Sequence, residues 1–288
     1  MEYFKLCRFR SPQNVICVGM LSHGETSIID LSSLGECITS LLNIPGYIEK
    51  LLQYQNVDLL HYDVSEVKLL APIERQEVWA AGVTYLRSKT ARMEESDFSA
   101  SAYDRVYDAD RPELFFKCLP EKVVTSDESV GIRKDSQWSV PEPELALMIN
   151  PAGNIVGYLL GNDMSSRDIE GANLLYLPQA KIYNRSCAIA PFVVVGVDEE
   201  TVRTWQVSLE VKRNGSVAFF GQTSPGQIKR SFQELVDYLF RSQDFPLGAV
   251  LFTGTGIVPP QDFTLKAGDE IIISCPPIGK LVNSVTVV

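Results

Sequence analysis

Two apolar runs joined by a compact turn cluster constrain this chain more than any other feature. Leu145-Ala146-Leu147-Met148-Ile149 and Ile155-Val156-Gly157-Tyr158-Leu159-Leu160 flank Asn150-Pro151-Ala152-Gly153-Asn154. Turn formers between such runs predict an antiparallel hairpin folded about residue 152. Position 142 then lies opposite roughly position 162. Side chains alternate faces along a strand, so Glu142 and Glu144 point the same way. Asp163, which follows Gly161-Asn162, comes near Glu142 at the open end. Three converging carboxylates repel one another unless a cation or a proton sits among them. Oxygen donors without Cys or His suit a hard cation, Mg2+ first, with Mn2+ or Ca2+ as substitutes. The competing reading of this spacing is a set of solvated acids at a strand edge.

Around the hairpin the signal is mainly β. Residues 78–83, 192–197, 207–211, 249–253 and 270–274 read as strands. One clear helix interrupts them. Ser231 and Glu234 have the spacing of a capping box, and Phe232, Leu235, Val236, Leu239 and Phe240 follow with helical period. Residues 1–70 read as a small N-terminal α+β domain. Its strands lie near 15–18 and 26–29, and Tyr47, Ile48, Leu51 and Leu52 fall at helical spacing. Residues 71–288 form the second, larger domain. The polar stretch 84–112 has weak helical character and reads either as a mobile lid or as a solvated connecting helix.

The chain has 288 residues and a net charge of −10. That surface repels nucleic acid and anionic membrane, so neither is expected as a partner. An anionic substrate would need local positive charge to enter. The six cysteines are scattered, without zinc-ribbon spacing or disulfide-scaffold density. His23 and His61 are the only imidazoles and lie outside the motifs that carry chemistry. No apolar run is long enough to span a bilayer, and the N-terminus lacks a signal-peptide pattern. The expected compartment is the cytoplasm.

Several motifs in this order resemble the fumarylacetoacetate hydrolase superfamily. They are Phe115-Phe116-Lys117, Glu142-Pro143-Glu144-Leu145, Gly161-Asn162-Asp163-Met164-Ser165-Ser166-Arg167-Asp168, Lys181, and Thr253-Gly254-Thr255-Gly256. The resemblance spans roughly residues 75 to 285. It implies a mixed, mainly β catalytic domain of the β-roll type and a homodimer or homotetramer. It makes Glu142, Glu144 and Asp163 the metal ligands and places Lys181 near the substrate oxygens. Thr255 and Gly254 would hold a substrate carboxylate. Arg167 would contact substrate or brace the metal loop through Asp168. Hydrolases of this superfamily carry a His and a Glu on the lid, where this chain has Ser88 and Ala91. A serine without a partner is no general base at neutral pH. That departure disfavours C–C bond hydrolysis.

The segments 88–96, 138–145 and 175–183 are similar to a dehydratase branch acting on 2-dehydro-3-deoxy-D-arabinonate. They imply a Mg2+-dependent lyase that removes water from a 2-keto-3-deoxy sugar acid, giving 2,5-dioxopentanoate from a pentonate. The expected base or acid is then Lys181, Glu113 or both, with a neutral amine on Lys181 beside the ion. Glu113 reads equally as a surface acid before a strand. Tyr85 and Arg87 are expected to bind sugar hydroxyls or the carboxylate. The competing functions are an acylpyruvate hydrolase or oxaloacetate decarboxylase of the same superfamily, or a non-catalytic ligand-binding member.

Overall fold

A computed structural model describes residues 3–95 and 100–288. The fold is mainly β and its sheets are not closed. The larger sheet has 12 strands. Along its main path the order is His61–Asp63, Ser27–Asp30, Ile16–Leu21, Phe4–Arg10, Phe192–Val195, Ile155–Asp163, Pro143–Ile149, Ala249–Phe252, Glu77–Gly82 and Glu113–Cys118. Residues on both sides of position 70 therefore share one sheet, joined where Phe4 pairs with Val195 and Cys7 with Phe192. A second sheet of five strands runs Ser216–Thr223, Val207–Arg213, Glu270–Cys275, Gly279–Val287 and Ser129–Ile132.

The predicted hairpin lies at the centre of the larger sheet. Pro143 pairs with Asn162 and Leu147 with Tyr158, one residue from the expected register. A bulge between Met148 and Ile149 accounts for that slip. Asn150 builds the turn: its Oδ1 accepts from Ala152 N at 3.1 Å and Asn154 N at 3.0 Å. Both faces of the hairpin are covered. Leu145, Leu147 and Ile149 join Leu209, Val211, Ile271 and Ile273 of the five-stranded sheet in one core. Ala146, Met148 and Leu159 join Leu6, Met20, Ile38 and Leu41 in another. Strands buried on both sides read as continuous apolar runs rather than as alternation, which is how this hairpin reads.

Helix Phe232–Phe240 buries Phe232, Leu235, Val236 and Leu239 in the first core. Ser231 Oγ accepts from Glu234 N at 3.1 Å, the first half of the predicted box. The Glu234 carboxylate turns to Arg230 instead of returning to the cap. In helix Tyr47–Tyr54 the buried positions are Leu51 and Tyr54, while Leu52 is exposed. The polar stretch 84–112 holds helices Leu86–Glu95 and Ala100–Asp108. Part of that stretch, 96–99, lies outside the described residues, and so does part of the expected lid. Lys229 and Arg230 tie the second helix to the body through Asp108 and the carbonyls of Ala109 and Asp110.

Gly161 pairs with Glu144 on the face that the three acids share. The Phe252 ring lies over it, and an added Cβ would meet Phe252 Cζ at 2.4 Å. Phe252 is fully buried, so the ring has nowhere to go. Gly161→Ala is expected to destabilise the protein by about 1–3 kcal/mol through overpacking. Urea unfolding measures this, and an unchanged midpoint would contradict the packing described.

Candidate active site

The face of the hairpin that carries Ala146 and Leu159 changes character at its open end. Apolar positions give way to Glu144, Glu142 and Asp163, all buried. One carboxylate oxygen from each lies within 4.8 Å of the others. Asp163 N donates to Glu142 O at 2.9 Å, and Glu142 N donates to Asn162 Oδ1 at 3.1 Å. These bonds lock the two acid-bearing segments together. The residue types fit a hard divalent cation: three buried oxygen donors and no soft ligand. Burial, together with the charges of Asp163 and Glu142, pushes the Glu144 carboxyl well above the usual carboxylate range. A cation among the three would relieve that repulsion.

Four cations surround the acids. Lys117, fully buried on Glu113–Cys118, pairs with Asp163 and donates to Met164 O at 3.2 Å and Lys181 O at 2.5 Å. Lys181 Nζ lies 2.9 Å from Glu142 Oε1 and 3.3 Å from Asp163 Oδ2. Arg167 Nη2 lies 3.3 Å from Glu142 Oε1. Arg92, from helix Leu86–Glu95, places Nη2 3.0 Å from Glu142 Oε1 and Nη1 3.0 Å from Glu170 Oε2. Ser165 Oγ donates to Glu170 at 2.9 Å and completes that link. Burial tends to lower Glu170's charge preference, but Arg92 and Lys181 overcome it and hold the carboxyl below its ordinary range.

Glu142, Asp163, Lys181, Glu113, Gly254 and Thr255 line one cavity, together with Ser88, Arg92 and Glu170. Its free space is about 10 Å³, hardly more than one water requires. Glu113 and Glu170 also wall a neighbouring, more apolar cavity of about 340 Å³, with Pro112, Leu174 and Leu177. Burial first, then the charge of Glu170, pushes the half-buried Glu113 carboxyl up to about 7 against the pull of Arg92 and Lys181. Gly254 has φ of +91°, and a Cβ there would strike Thr84 Oγ1 at 2.1 Å. Its amide donates to Glu144 Oε2 at 2.6 Å, so the Thr253-Gly254-Thr255 turn reaches one of the three acids directly.

Other expectations map differently. Tyr85 is buried in the main core under Gly256 and does not line the cavity. Arg87 is exposed and also lines none of it. Asp168 does not brace Arg167. It accepts from Ser136 Oγ at 2.6 Å and Gln137 N at 2.7 Å, while Arg167 reaches Glu142. Burial disfavours the charge of Lys181, but Asp163, Glu142 and Glu170 outweigh burial and raise its pKa above the ordinary range. Sequence reasoning missed Arg92 and Glu170 as site residues. The one available signal was the Ser88/Arg92 spacing of four, which sets both on one helix face.

The chain matches the model for the fumarylacetoacetate (FAA) hydrolase C-terminal domain over residues 77–286. It is 48% identical over 217 residues to a probable 2-keto-3-deoxyxylonate dehydratase of Haloferax volcanii, covering 75% of this chain and 74% of that protein. It is 37% identical over 237 residues to a 2-dehydro-3-deoxy-D-arabinonate dehydratase of Saccharolobus solfataricus, covering 81% and 79%. A solved structure of a 2-keto-3-deoxy-D-arabinonate dehydratase with magnesium and 2,5-dioxopentanoate superposes with a TM-score of 0.82 at 31% identity, covering 99% of each chain. A buried carboxylate hairpin, its ring of cations and these likenesses agree on one ancestry, and the chain belongs to the fumarylacetoacetate hydrolase family.

Proposed function

We propose that this protein is a Mg2+-dependent dehydratase that removes water from a 2-keto-3-deoxy sugar acid, a pentonate giving 2,5-dioxopentanoate. The observation that carries this reading is the buried trio Glu142, Glu144 and Asp163, with Lys181 and Glu113 facing the same cavity. The likeness to two sugar-acid dehydratases supplies the substrate class. Glu142, Glu144 and Asp163 would hold the ion. When bound, magnesium supplies a Lewis acid toward the 2-keto acid and so acidifies the C3 protons. The remaining work belongs to side chains. Glu113, whose proton is poised near neutrality, takes the C3 proton as base. Lys181, held charged, donates toward the C4 hydroxyl as it departs as water. The unsaturated product then tautomerises to the dioxo acid. Thr255 and the Gly254 turn orient the carboxylate end.

His23 and His61 do not line the cavity, and Ser88 occupies the position where a lid histidine would stand. That favours loss of water over attack by water, and places acylpyruvate hydrolysis second. We infer a homo-oligomer as well, with the exposed run Leu174, Leu175 and Tyr176 as the self-contact. No helix among the described residues is long and apolar enough to cross a membrane. With six free cysteines, a reducing cytoplasm is the compartment we assign.

Loss of outer-sphere partners typically weakens a metal by ~10–100-fold, so Glu142→Gln and Glu144→Gln should each weaken Mg2+ by at least that much and abolish turnover. Calorimetric titration measures the first effect; an active variant that binds no metal would refute the assignment. Lys181→Ala is expected to cut kcat by ~10²–10⁴-fold with Mg2+ still bound. Turnover near wild type removes Lys181 from the reaction. For Glu113, the base is the carboxylate, which predominates above its midpoint of about 7. The rate kcat/KM should therefore climb with pH through that range, and Glu113→Gln should erase the climb. A rate that falls through the same range would instead make Glu113 the acid.

A further inference from the structure

Glu113 and Glu170 stand between two spaces. One is the small cavity at the acids, about 10 Å³, and the other is the neighbouring recess of about 340 Å³. Among the described residues the walls of the recess are mainly hydrocarbon, from Val106, Pro112, Leu174 and Leu177. Pro112 immediately precedes Glu113 in the chain. Leu177 opens helix Leu177–Lys181, four residues before Lys181, and residues four apart lie on one helix face. The recess is therefore built from near neighbours of both Glu113 and Lys181.

The order of carbons in a 2-keto-3-deoxy acid decides what enters it. With C1 and C2 at Glu142, Glu144 and Asp163, C3 lies against Glu113 and the C4 hydroxyl against Lys181. C5 and any carbon after it then extend past Glu113, on the side where the recess begins. The small cavity does not hold them, since its free space barely exceeds that of one water. A hydroxyl at the far end would find poor partners there. Glu170 is engaged by Arg92 at 3.0 Å and by Ser165 at 2.9 Å. The Arg111 guanidinium lies over the Tyr238 ring, 5.5 Å from its centroid. Desolvating a hydroxyl without a good partner is unfavourable, whereas burying a methyl group is favourable.

Resting on the dehydratase reading above, we propose that this recess is the subsite for the distal end of the substrate, and that it selects acids ending in a methyl group, the 2-keto-3,6-dideoxyhexonates. The reaction balances as it does for a pentonate. The C3–H bond breaks as Glu113 takes the proton. The C4–O bond breaks as Lys181 gives a proton to the departing hydroxyl, and one water leaves. The C5 hydrogen and the C5 hydroxyl proton are then replaced by hydrogens at C3 and C4 as the chain tautomerises. The product is 2,5-dioxohexanoate, a methyl ketone where the pentonate gives an aldehyde, and no oxidant is consumed.

The test uses the full chain with Mg2+ and three acids: a 2-keto-3-deoxy pentonate, a 2-keto-3-deoxy hexonate, and the 6-deoxy counterpart of that hexonate with the same configuration. The last two differ by one hydroxyl. For the 6-deoxy acid kcat/KM should exceed that of the hexonate by about 10–100-fold. Its product should show a methyl ketone and no aldehyde by NMR. Leu177→Asn and Leu174→Asn should each bring the two acids close to parity. The ratio is taken within each variant, so a general loss of activity does not imitate the effect. Leu174 is 38% exposed, which keeps the second variant informative where the first does not fold. Calorimetry gives a readout without turnover: 2-oxohexanoate, which has no hydroxyl to lose, should bind about tenfold more tightly than 2-oxobutanoate. A hexonate turned over as well as its 6-deoxy counterpart, or a ratio unmoved in both variants, overturns this inference while dehydration of the pentonate leaves the dehydratase reading standing. A chain that dehydrates none of the three acids overturns both.

Discussion

Three carboxylates within a few ångströms of one another, sealed from water, cannot all stay charged without compensation, and the interior is arranged around that fact. Lys117, Lys181, Arg167 and Arg92 approach the trio from four different segments of the chain. Removing any one acid would leave cations short of a partner, and removing any one cation would sharpen the repulsion. The cluster therefore supports the packing of its own walls.

The hairpin was legible because its information is local. Asn150 to Asn154 fix the turn, the turn fixes the register, and the register carries Glu142, Glu144 and Asp163 to one end. A bulge at Met148/Ile149 displaced the pairing by a single residue without moving any acid to the other face. Helix 232–240 was legible for the same reason, through its cap and its period.

What the sequence concealed is long-range. Nothing near position 92 says that its guanidinium meets residues 142 and 170, some 50 and 78 positions away in the chain. Arg167 and Asp168 stand side by side, yet successive residues point apart, and each finds a partner in a different segment. Tyr85 shows the same limit, because an aromatic next to a polar helix serves a core as readily as a ligand; here Gly256 leaves room for its ring. Lys117 sat within a recognised motif, but its full burial beside two carbonyls becomes visible only when three segments are brought together.

The buried cations have an effect on the outside of the molecule. Among the described residues six buried cations (Lys5, Arg92, Lys117, Arg167, Lys181, Arg230) balance six buried carboxylates (Asp30, Glu142, Glu144, Asp163, Glu170, Asp269). The whole excess of −10 is therefore carried by the rest of the chain. A sugar acid approaching from solution meets a repelling exterior before it meets any attraction. Its encounter rate should consequently rise, not fall, as salt shortens the Debye length, the reverse of enzymes that steer anions with an exposed basic funnel.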